Sequence, residues 1–132
     1  MECNTSQAFF LPTLSVKNAR AAIAFYQKAF GAIVIMSAED PGGDVVAEME
    51  IGGARFIVAE ECPERGNFSP LNLAGIAVRI GLMVADPDTL AEQAVAAGAT
   101  VVYPVADQHY GYRLGHFIDP FGHHWEIGKP LR

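Results

Sequence analysis

The sequence predicts an α+β fold of two tandem βαβββ modules, whose curved mixed sheets leave an open cleft. Three observations predict it. The first is an internal repeat. Val16 and Gly31 recur as Val84 and Gly98, so Val-(x)14-Gly-Ala-x-Val is answered by Val-(x)13-Gly-Ala-x-Val, one residue shorter. Self-similarity of this kind marks one structural unit used twice. The second is that each copy holds one capped helix among short β-branched runs. The third is a turn, Asp119-Pro120-Phe121-Gly122, which launches a last alternating strand. Pro presets φ, Asp bonds back to the backbone and Gly accepts positive φ.

Taken in order, residues 9–16 read as a first strand, limited by Pro12 to an edge or an end. Asn18 is an N-cap candidate. Over residues 19–30, Ile23, Tyr26 and Phe30 recur at helical spacing, and Gly31 follows as the C′ residue. Residues 32–38 form a second strand, and Asp40-Pro41-Gly42-Gly43-Asp44 a turn. Residues 45–51 and 55–59 are two strands joined by the hairpin signal Gly52-Gly53. The first module thus spans about residues 9–60. Residues 61–75 carry Pro63, Gly66, Pro70 and Gly75 without periodicity, and read as a linker. The second module, about residues 76–128, repeats the plan. Its first strand is 77–84. Asp86 caps a helix with Pro87 at its first position and Leu90, Ala94 and Ala97 on its apolar face, and Gly98 closes it. Strands follow at 100–103, 112–118 and 123–127.

Bulk properties narrow the function. The 132 residues are 51% hydrophobic and 18% charged, which describes a folded domain. A net charge of −6 argues against nucleic acid as a partner. No apolar run is long enough for a membrane span. Met1 to Ser6 lack the basic start and apolar run of a signal peptide, so a cytoplasmic protein is expected. Cys3 and Cys62 are too few for a disulfide framework and read as two reduced thiols. There is no Ser-His-Asp order, no phosphate-binding glycine loop and no Cys-x-x-Cys.

Period-2 alternation sorts each strand into a helix-side face and an open face. Leu14, Val16, Leu82, Val84, Phe56, Val58, Trp125 and Ile127 go to the core. Leu11, Thr13, Ser15, Arg55, Ile57, Ala59, Arg79, Gly81, Met83, His124 and Glu126 go to the open side, where the two sheets make a concave cleft. Phe9, Phe10 and Phe117 read as core. Eight of the fifteen acidic residues fall between Glu39 and Glu64. This makes the first module locally acidic, and Glu48 and Glu50 share one strand face, so a solvated acidic wall or attraction for cationic small molecules follows.

The ending Asp119-Pro-x-Gly-x-x-x-Glu126 resembles the vicinal-oxygen-chelate superfamily, which holds glyoxalase I, the extradiol dioxygenases and the bleomycin- and fosfomycin-resistance proteins. The approach Asp107-Gln108-His109-Tyr110-Gly111-Tyr112-Arg113 resembles the PhnB-like branch. The resemblance covers residues 9–127. It implies a homodimer, and in metal-using members four ligands lining the cleft. The matching positions here are Leu11, about Ile57, Arg79 and Glu126. Only Glu126 can donate to a metal, and Arg79 sets a positive charge where the cation would sit. No cofactor is therefore expected. A divalent metal remains open at a shifted site of His116, His124 and Glu126, where His124 and Glu126 are i, i+2 on one strand face.

Glu126 is the candidate general base, or else a partner for Arg79 or Arg113. Tyr110 and Tyr112 offer rings to stack on a flat ligand. The candidate ligand-binding set is Arg79, Glu126, His124, Tyr110, Tyr112, Arg113, His116, Leu11, Ile57 and Met83. The scaffold supports isomerisation, ring cleavage, thiol transfer and simple sequestration, so fold does not choose among them. Expected first is a metal-independent binder of a small organic molecule. The alternatives are a metal-dependent glyoxalase-type lyase or dioxygenase with the rearranged His/Glu site, and a non-catalytic dimer module.

Overall fold

The structure is a computed structural model and describes residues 7–132. Cys3 lies outside the described residues; Cys62 is a free, half-buried thiol. The first module holds β1 (Thr13–Val16), α1 (Ala19–Phe30), β2 (Ile33–Glu39), β3 (Val45–Ile51) and β4 (Ala54–Glu60). The second holds β5 (Ile80–Met83), α2 (Pro87–Ala97), β6 (Thr100–Asp107), β7 (Tyr112–Ile118) and β8 (His124–Pro130). Each makes a four-stranded mixed sheet, in order β1-β4-β3-β2 and β5-β8-β7-β6. In both, the first strand runs parallel to the last, with Thr13 opposite Ile57 and Gly81 opposite Glu126. The tandem βαβββ plan is what the repeat predicts. No helix among the described residues is long and apolar enough to cross a membrane.

Local chemistry sets the helix ends. Asn18 accepts the Ala21 N–H, and the Glu60 carboxylate of β4 takes the Asn18 and Ala19 N–H groups at 2.9 and 2.8 Å. These donors have no partner inside the helix. Gly31 closes α1 at φ 66°, a left-handed value that glycine adopts without a Cβ clash. Asp86 caps α2 through the Thr89 N–H, with Pro87 where a missing N–H costs nothing. In the hairpin, Gly52 and Gly53 both take positive φ, as a tight two-residue turn needs.

The two modules share one core. Tyr26 and Phe30 of α1 meet Trp125 of β8 with ring centroids 5.7 and 4.7 Å away, and Phe56 of β4 closes the cluster. Edge and tilted contacts of this kind add to area burial. Leu14, Val16, Val58 and Ile127 are buried beneath the helices, as alternation requires. The helices touch directly, and Gln93 of α2 donates to the Lys28 and Ala29 carbonyls of α1.

The boundaries differ from the sequence in instructive ways. β1 starts at Thr13 rather than residue 9, because Pro12 has no N–H for the ladder and only its carbonyl accepts, from Ile57 N. Phe9 and Phe10 are 61% and 95% exposed, which corrects their core reading; Phe117 is buried as expected. β5 starts at Ile80, opposite Trp125, since its partner β8 begins only at His124. β6 runs on through Pro104 to Asp107, with a register shift there that an edge strand tolerates. Residues 61–75 contain two short 3-10 turns, Pro63–Arg65 and Pro70–Asn72.

Candidate functional site

β6, β7 and β8, together with the residue that precedes β5, bring five polar side chains to the open face of the second sheet. Register explains the gathering. His116 of β7 stands opposite Glu126 of β8, Tyr103 of β6 stands opposite His116, and Gly81 of β5 stands opposite Glu126 on the other side. Arg79, just before β5, reaches Glu126 with its Nε 3.3 Å from Oε2. The same oxygen faces the Tyr103 hydroxyl at 3.5 Å, the long limit of a hydrogen bond. Burial and the neighbouring carboxylate both push the Tyr103 hydroxyl above its usual pKa. His116 Nε2 lies 2.8 Å from His124 Nδ1, so one imidazole donates to the other.

Tyr103 was not among the sequence candidates. The sequence pattern ends its strand at this residue, and only the register across β6 and β7 sets it against His116. Arg113 does not join the cluster. It lies on the opposite face of β7, where it grips Asp88 of α2 through two hydrogen bonds of 2.9 and 2.7 Å and Asp107 at 3.0 Å. A strand residue one step from Tyr112 must face the other way. Tyr110 is half exposed, packs edge-on to His109 and lies 6.4 Å from Tyr112 between ring centroids. Met83 stands opposite Gly128 and is exposed. Leu11 and Ile57 lie in the first module, Ile57 between Thr13 and Glu48. The expected acidic wall is partly neutralised, because Arg55 pairs with both Glu48 and Glu50 at 3.0 and 3.4 Å.

Beside the cluster is a cavity of about 620 Å3. Phe9, Phe10, Leu11, Ile51, Ile80 and Gly81 line it, among others. Neither Arg79 nor Glu126 does; the two regions meet at Gly81. The cavity is within the size range of small-molecule sites. Phe9 and Phe10 were missed as lining because alternation cannot be followed upstream of Pro12.

The residues at the superfamily's ligand positions do not fit a metal ion. Leu11 and Ile57 have no donor atom, and Arg79 pairs with the one carboxylate. Among the described residues, no group of three His, Cys, Asp or Glu side chains is placed to hold an ion.

His116 carries a pH signature. Burial lowers its pKa below the usual 6.5, the neighbouring His124 lowers it further, and Glu126 pulls the other way. Between its depressed folded pKa and about 6.5 the unfolded chain binds more protons than the folded one, so stability falls as pH falls. Thermal melts from about pH 7.5 to about 5 are expected to show a declining midpoint, with a shallower decline in His116→Gln. An unchanged slope in the variant would count against this placement of His116.

A polar cluster on the open face of one of two repeated βαβββ sheets describes the glyoxalase type of scaffold. The chain matches the Glyoxalase/Bleomycin resistance protein/Dioxygenase superfamily over residues 9–127, and belongs to it. Over 125 residues it is 39% identical to the uncharacterized protein Mb0911c of Mycobacterium bovis, covering 92% of this chain and 82% of that one. Among solved structures it is similar to TioX from Micromonospora sp. ML1, at 23% identity and a TM-score of 0.70, over 95% of this chain and all of that one. It is also similar to the fosfomycin resistance protein FosX from Listeria monocytogenes, complexed with Mn(II) and sulfate, at 20% identity and a TM-score of 0.69. That match covers 93% of this chain and 92% of FosX. At these identities the two structures speak for the fold alone.

Proposed function

We propose that the protein binds a small organic molecule in its cleft, without the divalent metal ion of metal-using members. The observation that carries this is the Arg79–Glu126 ion pair at 3.3 Å, formed between two positions where such members place metal ligands. A guanidinium there supplies the positive charge that a cation would. It also engages the carboxylate, so Glu126 is the partner of Arg79 rather than a free general base. The approach from Asp107 to Arg113 supports the PhnB-like branch as the nearest subgroup.

Metal analysis of protein purified without chelator tests the reading. Much less than one equivalent of zinc, nickel, manganese or iron is expected. Stoichiometric metal, lost on His124→Ala, would instead establish a metal-dependent lyase or dioxygenase at His116, His124 and Glu126. A thermal-shift screen then separates a binder from a degenerate cleft, since a ligand at about 100 times its Kd adds about 2.7 kcal/mol.

The same reading includes a homodimer in the cytoplasm. β2 is an edge strand with Ile33, Val34, Ile35 and Met36 all exposed. Exposed apolar edges of this kind favour association with another chain. Light scattering at micromolar concentration is expected to give about twice 14.2 kDa. A mass near 14.2 kDa would refute the dimer.

A further inference from the structure

The ion pair and the cavity share a boundary, and that boundary sets the chemical class of the ligand. Ile80 and Gly81 follow Arg79 directly and line the cavity. The first module contributes apolar lining from Phe9, Leu11 and Ile51. The charged lining, Arg55 and Glu48, is already paired with itself.

The two members of the Arg79–Glu126 pair are not equally occupied. Glu126 keeps 21% of its side chain exposed, and one of its oxygens faces both Arg79 Nε and the Tyr103 hydroxyl. Arg79 keeps 56% of its side chain exposed. Its nearest approach to Glu126 is through Nε, and no hydrogen bond ties its terminal nitrogens to another described residue. A guanidinium presents five N–H donors in one plane. With Nε turned to Glu126, the outer edge formed by the two terminal nitrogens is left to match a two-oxygen anion. The Tyr103 hydroxyl faces the same Glu126 oxygen, so one aromatic side chain stands next to the ion pair.

We propose that the ligand is an organic anion with an apolar body. Its carboxylate, or another two-oxygen anionic group, sits on the terminal nitrogens of Arg79. Its body lies in the cavity against Ile80, Gly81 and Leu11. Glu126 is a positioning residue that fixes the guanidinium by its Nε side. This rests on the small-molecule reading above and deepens it. It also reverses the cationic preference that the acidic composition suggests, because Glu48 and Glu50 are held by Arg55.

The test uses three probes of one shape: 4-phenylbutyrate, 4-phenylbutyramide and 4-phenylbutylamine, measured by calorimetry at low ionic strength. The carboxylate is expected to bind about tenfold or more tighter than the amide, and the amine more weakly still. Salt is expected to weaken the carboxylate selectively. In Arg79→Gln the advantage of the carboxylate should vanish while the amide keeps its affinity. The role of Glu126 has its own readout. Glu126→Gln retains a hydrogen-bond acceptor for Nε and should keep the order. Glu126→Ala should shrink the carboxylate's advantage, although loss of a nearby negative charge by itself would enlarge it.

Tightest binding by the amine, or an order unchanged by Arg79→Gln, overturns the anion class and leaves small-molecule binding standing. No binding of any of the three to the parent protein at millimolar concentration overturns both. If Arg79→Gln does not fold, the ranking and salt dependence in the parent protein decide.

Discussion

Asp119→Ala is expected to lower the unfolding free energy by about 3–5 kcal/mol, a large fraction of what a domain of this size holds. Asp119 is 4% exposed, and its carboxylate accepts four hydrogen bonds. Oδ1 takes the backbone N–H groups of Phe121 and His123 at 2.9 and 3.0 Å. Oδ2 takes the Tyr26 hydroxyl at 2.5 Å and the Trp125 indole N–H at 2.9 Å. Tyr26 is fully buried and Trp125 is 2% exposed, so neither donor reaches water when the acceptor is removed. Each buried unsatisfied donor costs about 1–3 kcal/mol, and the four are coupled, so their costs do not simply add.

Urea unfolding should show a lower midpoint at an unchanged slope. A loss under about 1 kcal/mol would falsify the role given to this carboxylate. Tyr26→Phe removes one donor and leaves Asp119 three, so it should cost only about 1 kcal/mol. Burial, and then the charge of Asp119, hold the Tyr26 hydroxyl well above its usual pKa of 10. The unfolded chain therefore releases this proton first, and stability should drop as pH rises past about 10.

Asp119 also shows how far the sequence could be read. Asp-Pro-Phe-Gly is legible as a turn because its constraints are local: a fixed φ at Pro120, an Asx bond from Asp119 and φ 90° at Gly122. Helix caps at Asn18, Gly31 and Asp86 are local in the same sense, and so is the alternation that sends Trp125 inward and Glu126 outward. The second function of Asp119 was not legible. Its bond to Tyr26 joins the second module to the helix of the first, and no short-range pattern records that pairing. Tyr103 was hidden for the same reason, since a residue gains its neighbours from register across β6 and β7. The sequence offers Arg113 as a partner for Glu126, whereas the pleat turns it toward Asp88. Phe9 and Phe10 were given to the core on hydrophobicity alone, which does not say where a strand stops.

Gly128→Ala is expected to cost about 3 kcal/mol, at the upper end for overpacking. The reason is space rather than conformation. Gly128 stands opposite Leu114 in the ladder between β7 and β8. A Cβ there would lie 2.4 Å from the Arg113 carbonyl oxygen and 2.5 Å from Leu114 Cβ. Both are backbone or backbone-fixed atoms, so no rotamer change relieves the clash. The strands must separate, and the β7 backbone that carries His116 moves with them. Gly111→Ala supplies the contrast. It has φ 91° and nothing within 4 Å of an added Cβ, so its cost is conformational, about 1–2 kcal/mol, and confined to its turn. The two variants should also differ in where they act. Gly128→Ala should shift the proton resonances of His116 and His124, whose rings are 2.8 Å apart between nitrogens, while Gly111→Ala leaves them in place. Equal destabilisation by the two, with the histidine resonances unmoved in both, would show that β7 and β8 are not held as closely as Gly128 requires.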